Sequence, residues 1–155
     1  MSWSMEGVHE SSAAPADVFR YYVDPATWGQ WAHNTAWGRA SAPLEPGSTV
    51  QVRVRSYPWT YTVRVRELDP GTRIVTEVRP FGVTITSTYE VTSIPKGSRL
   101  HHTISLAGPL ERLYTLVRGQ YTRMLVEETR TVAELAEGSA PASGTSTAHR
   151  TPAQA

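Results

Sequence analysis

The sequence predicts an α+β fold: a curved antiparallel sheet of about seven strands wrapped around one long C-terminal helix. Three observations carry it. Between Thr49 and Ala107, apolar and polar residues alternate in runs broken by turn signals. After Gly108-Pro109 the apolar residues recur at helical spacing instead. Near the start, Pro15 and Pro25 each open a short helix behind a first strand.

Each element follows from local chemistry. Trp3 to Ser12 alternates loosely, with Met5, Gly7 and His9 on one face. Ala14-Pro15-Ala16-Asp17 starts a helix, because proline suits the first helical position and Asp17 meets the positive end of the dipole. Asp24-Pro25 repeats the signal, and Trp28 and Trp31 share a face one turn apart. Asn34 to Ala40 is the weakest strand pattern. Thr49 to Ser56 sets Val50, Val52 and Val54 against Gln51, Arg53 and Arg55. Trp59 to Leu68 sets Trp59, Tyr61, Val63 and Val65 against Thr60, Thr62, Arg64 and Arg66.

Asp69-Pro70-Gly71 turns the chain, since proline presets one torsion and glycine accepts positive φ. Thr72 to Arg79, Val83 to Ile94 and Arg99 to Ala107 complete an antiparallel meander, with Pro80-Phe81-Gly82 and Pro95-Lys96-Gly97 as its turns. Leu110, Leu113 or Tyr114, Val117, Tyr121, Met124 or Leu125, Val132 and Leu135 then form the stripe of the long helix, interrupted at Glu128.

Composition narrows the function. The chain has 155 residues and 39% hydrophobic content, enough for one packed domain. That domain is expected over residues 1–137, with 138–155 as a disordered tail of small and polar residues. A net charge of +1 argues against a nucleic-acid partner. The absence of cysteine removes disulfides and thiolate metal sites and fits a reducing cytoplasm. No stretch approaches the roughly 20 apolar residues of a membrane helix, and no signal peptide is recognised, so a cytoplasmic protein without membrane insertion is expected.

The element order resembles the helix-grip fold of the START and Bet v 1 superfamily (SRPBCC). More narrowly, it resembles the bacterial polyketide cyclase/dehydrase and lipid-transport family. The carrying residues are Ala14-Pro15-Ala16-Asp17-Val18-Phe19, Asp24-Pro25-Ala26-Thr27-Trp28 with Trp31, Gly97 to Ile104, and Ala107-Gly108-Pro109-Leu110. The resemblance covers about Met5 to Glu137. Its motifs are structural, and members of the family include both ligand carriers and enzymes, so it implies a cavity rather than a reaction.

A curved sheet gripping one helix leaves gaps that suit a ligand. Trp28, Trp31, Trp59, Tyr61, Tyr89, His102, Val117, Tyr121 and Met124 are the candidate binding residues for a small hydrophobic molecule of polyketide, aromatic or lipid type. Trp28, Trp31 and Trp37 equally suit a plug of core at the barrel end. His102 alternates with Leu100, Ile104 and Leu106, so it faces inward; it reads as a hydrogen-bonded core histidine or as an acid/base group.

The rival reading is an aromatase/cyclase or dehydratase, a lyase or isomerase acting on a polyketide-like substrate, with Tyr61, Tyr89 or His102 exchanging protons. Glu128 is expected on the solvated side of its helix; facing inward, it would instead be a perturbed carboxylate at a functional site. His9, His33, His101, His102 and His149 lack metal-ligand spacing, and neither a metal nor a cofactor is expected. Arg53, Arg55, Arg64 and Arg66 form an outer basic ladder. It serves solubility, or a third class of function: docking an acidic partner such as a carrier protein.

Overall fold

The computed structural model describes residues 3–139. β1 (Trp3–Ser11) leads into α1 (Pro15–Val23), a 3-10 turn (Pro25–Thr27) and α2 (Trp28–Trp31). β2 (Thr35–Arg39), β3 (Thr49–Val54), β4 (Thr60–Asp69), β5 (Arg73–Val78), β6 (Thr84–Ile94) and β7 (Gly97–Ala107) follow. The chain closes with α3 (Glu111–Tyr114), a 3-10 turn (Thr115–Val117) and α4 (Arg118–Ser139). α4 continues through Gly138 and Ser139, where the tail was expected to begin. Residues 140–155, the rest of that tail, lie outside the described residues.

All seven strands form one sheet in the order β1-β7-β6-β5-β4-β3-β2, and every pair is antiparallel. The order follows from the short turns. β2 to β7 pair in succession, and only β1 crosses to the far edge, beside β7. Register shifts at Thr35/Trp37 and Val65/Glu67 mark bulges, which bend strands and add twist. Asp24 caps the second helical segment as expected, its carboxylate accepting from the Ala26 N–H at 3.0 Å. Gly71 takes the positive φ that its turn requires, at 79°.

The core lies between the sheet's inner face and the helices. Val50, Val52, Val63, Val65, Ile74, Val91 and Leu100 supply the sheet side; Val18, Phe19, Tyr22, Trp28 and Trp31 supply the short helices. α4 presents Leu125, Glu128, Thr129, Val132, Ala133 and Ala136 as its buried stripe. A second, smaller cluster gathers Met5, Val83, Ile104, Leu106 and Leu125, with Tyr121 and Met124 partly buried against it.

The C-terminal helix differs from expectation at its start. The stripe predicts a single rod from Pro109, but the chain makes one turn of α3, tightens to 3-10 and only then enters α4. Leu110 and Leu113 are 42% and 61% exposed, so two expected anchors of the first turns do not pack. Val117 ends the 3-10 turn instead of sitting mid-helix.

Candidate functional site

The site is built where α4 crosses the inner face of β1 and β7. Leu100, His102, Ile104 and Leu106 alternate inward on β7 and are all buried. Antiparallel register sets His102 between Gly7 on β1 and Tyr89 on β6. Gly7 matters because of what lies above it. A Cβ there would meet the backbone of Leu125 at 2.9 Å and that of Val126 at 3.0 Å. The missing side chain therefore lets the α4 backbone rest directly on β1. Glu128, one turn beyond Leu125, is carried over His102 as a result.

Glu128 is buried, and this corrects the expectation of a solvated carboxylate. The physical reason is its place in the stripe, between Leu125 and Val132 at core spacing. Its Oε1 accepts a hydrogen bond from the His33 backbone N–H at 2.6 Å, and its Oε2 lies 3.4 Å from Nδ1 of His102. Burial raises its pKa to about 7, an effect that the His33 N–H only partly offsets. The same burial, with His101 next along the strand, pushes His102 down to about 3. The contact has the distance of an ion pair, but near neutral pH the desolvated site holds a neutral imidazole beside a carboxyl group that is about half protonated. Neither ring nitrogen of His102 has a hydrogen-bond partner among the described residues. The expected hydrogen-bonded core histidine is thus corrected: it is buried and unsatisfied.

A cavity of about 300 Å³ opens over this pair. Trp28 and Trp31 close one side, and Tyr61, Tyr89, Ile85 and Ile104 form the sheet wall. Tyr121 and Met124 face them from α4. The aromatic side chains are locked edge to face: Trp31 packs on Tyr22 at 5.4 Å and on Tyr89 at 5.7 Å between ring centroids. Tyr89 in turn stacks on His102 at 4.0 Å, with 23° between planes. Trp28 donates its indole N–H to the Tyr22 carbonyl at 3.2 Å, which fixes the ring at the cavity side. Burial, first, and the Glu128 carboxylate, second, raise the pKa of both Tyr61 and Tyr89, so both keep their protons.

Of the nine candidate residues, seven line this cavity: Trp28, Trp31, Tyr61, Tyr89, His102, Tyr121 and Met124. Two do not. Val117 sits in the 3-10 turn away from it. Trp59 precedes β4, is 49% exposed and stacks flat on Tyr57 at 4.6 Å. With Phe81 and Pro80 it borders an outer hollow that shares Tyr61, Val78 and Ile85 with the cavity. Its place is therefore the rim. Trp37 also lies elsewhere, its ring under the Arg39 guanidinium at 4.2 Å. Sequence reasoning weighed Glu128 but placed it in solvent, although its spacing from Leu125 and Val132 was the signal for the inward face.

The outer arginines do not form an uninterrupted ladder. Arg55 donates to the carbonyls of Thr35 and Gly29, Arg53 donates to that of Pro58, and Arg66 lies 3.8 Å from Glu77. His101 points outward to Glu6 at 2.6 Å, opposite in sense to His102 as strand geometry requires. Among the described residues, no helix is long and apolar enough to cross a membrane.

The sequence matches, over residues 2–137, the model for polyketide cyclase / dehydrase and lipid transport proteins. The chain belongs to that family. It matches no curated protein. Among solved structures it is similar to the ZhuI aromatase/cyclase from Streptomyces sp. R1128, with a TM-score of 0.75 at 15% identity, over 93% of this chain and 99% of that one. MLL2253 from Mesorhizobium loti superposes with a TM-score of 0.69 at 12% identity, over 88% and 98% of the two chains. Ara h 8.0201 superposes with a TM-score of 0.62 at 11% identity, over 86% and 99%. At these identities the likeness is one of fold, and it establishes the Bet v 1-like helix-grip architecture.

Proposed function

We propose that this family member binds a small, flat, largely apolar molecule in the cavity between the sheet and α4. The observation that carries this reading is the cavity itself: about 300 Å³ walled by aromatic side chains fixed against one another, with a polar pair at its floor. That combination of apolar walls and a few convergent polar groups is how ligand pockets are built. The volume falls at the low end of the roughly 300–1,000 Å³ usual for such sites, which favours a compact ring system over a long acyl chain.

One observation favours a second reading. A buried carboxyl group with a pKa of about 7 beside a neutral imidazole supplies a proton donor and a proton acceptor in one dry site. An aromatase/cyclase or dehydratase acting on a polyketide-like substrate would use such a pair, with Tyr61 and Tyr89 as further donors.

The neutral dye Nile red, titrated into the full chain, tests the first reading. Binding should be saturable and should vanish in Met124→Trp, which fills the space facing Tyr61. Equal binding by the filled variant would refute the cavity as the site. Glu128→Gln separates the readings: turnover of a poly-ketone substrate should fall at least a hundredfold if Glu128 exchanges protons, while dye binding persists. Unchanged turnover would remove Glu128 from any reaction.

A further inference from the structure

Among the described residues, neither buried ring nitrogen of His102 has a hydrogen-bond partner, while its ring lines the cavity. Buried polar atoms are otherwise nearly always hydrogen-bonded, because an unpaired one keeps its full desolvation cost. An orphaned imidazole at the floor of a cavity therefore points to a group that arrives with the ligand.

The surroundings specify that group. A neutral imidazole offers one N–H donor and one nitrogen acceptor. Glu128 has one oxygen committed to the His33 N–H and the other 3.4 Å from the imidazole, facing the same space. Near neutral pH the imidazole is uncharged, and burial keeps about half of Glu128 protonated. Among the described residues, no lysine or arginine lines the cavity. A ligand carboxylate would lose its hydration there, meet no cation and lie against Glu128. A ligand hydroxyl would donate to one of the pair and accept from the other. The cavity beside these rings is walled by Trp28, Trp31, Tyr61 and Tyr89, aromatic surfaces that suit a planar ring carrying such a hydroxyl.

We propose that His102 and Glu128 together recognise a single uncharged hydroxyl on a flat aromatic ligand, and that the cavity rejects the corresponding carboxylates. This rests on the cavity-binding reading above and names the ligand chemistry of that site. It also makes His102 and Glu128 determinants of specificity, separate from the aromatic walls that supply most of the contact area.

A matched series of probes tests it. Bound Nile red is displaced by 2-naphthol, by 2-methylnaphthalene, which has the same shape without the hydroxyl, and by 2-naphthoate. The measurement is made on the wild type, on His102→Phe, which keeps a ring against Tyr89, and on Glu128→Gln. On the wild type, 2-naphthol should bind about tenfold tighter than 2-methylnaphthalene, as expected when an unpaired buried group gains its partner. 2-Naphthoate should bind weaker than either. His102→Phe should bring naphthol and methylnaphthalene to within about twofold. Glu128→Gln, which keeps a donor and an acceptor, should retain part of the hydroxyl preference and relax the rejection of naphthoate.

Equal affinities on the wild type would overturn the proposal, and so would naphthoate as the tightest ligand. An undiminished naphthol preference in His102→Phe would also overturn it. If His102→Phe fails to fold by circular dichroism, the wild-type series and Glu128→Gln decide. Nile red failing to bind the wild type at all would sink the cavity reading and this one together. Nile red binding with no preference among the probes would sink this one alone.

Discussion

Glu128 and His102 are perturbed in opposite directions by the same lack of water, and pH separates their contributions to stability. The folded-state pKa of Glu128 is about 7 against an ordinary 4.5. Between those values the folded state holds more protons than the unfolded one, so stability falls as pH rises. The folded-state pKa of His102 is about 3 against an ordinary 6.5. There the unfolded state holds more protons, and stability falls as pH drops. The windows overlap from 4.5 to 6.5, where the slopes oppose. The wild type should therefore show a flat stretch there by urea denaturation. Glu128→Gln should expose the histidine slope, losing up to about 1.4 kcal/mol per pH unit as the pH falls below 6.5. His102→Phe should expose the opposite slope, with stability falling between pH 4.5 and 7. Identical profiles in all three proteins would mean that water reaches the pair. Of these two residues only His102 was legible in the sequence as inward-facing, because strict alternation with Leu100 and Ile104 leaves no choice of face. Glu128 was readable from helical spacing, but its charge argued for solvent. The partner that holds it, the His33 backbone N–H, is a contact across 95 residues that no local pattern displays.

At the scale of elements, the contact between β1 and α4 sets the site. Adding a methyl group at Gly7 would press on the helix backbone at 2.9–3.0 Å, and a helix backbone cannot rotate away as a side chain can. Gly7→Ala should cost about 1–3 kcal/mol, a fall in melting temperature of roughly 2–10 °C. It should also lift Glu128 from His102 and admit water, bringing the Glu128 pKa back toward 4.5. Carboxyl carbon NMR reads that shift directly. An unchanged Glu128 titration in a folded variant would show that Gly7 does not govern the seat of α4. The strands and their turns were plain in the sequence, because alternation and Pro-Gly signals are local. The break ahead of α4 was not. Leu113, Leu116 and Val117 keep helical spacing, yet none of the three is buried, so little rewards the regular helix that the stripe implies.

Across the whole molecule, the cavity lies where the two clusters of core meet. The larger one, with α1, α2 and Val132, Ala133 and Ala136 of α4, is densely packed with fully buried side chains. The smaller one, around Met5, Val83, Ile104 and Leu106, depends on Tyr121 and Met124, which are only partly buried. α3 and the 3-10 turn contribute no buried residue. Stability should therefore fall along the C-terminal segment toward its start, and a ligand should enter and leave by displacing the weak end. Amide hydrogen exchange tests this. Leu113 to Gly119 should exchange fastest, Leu125 to Ala136 slowest, and the turn from Tyr121 to Met124 should lie between them. A bound probe at a hundred times its Kd adds about 2.7 kcal/mol to global stability. Its local effect should be largest at Tyr121 to Met124, whose side chains gain a partner, and should leave Leu113 little changed. Protection of Leu113 to Gly119 equal to that of the Val132 turn, in the unliganded protein, would show the helix to be a single rigid lid and place the entrance elsewhere on the rim.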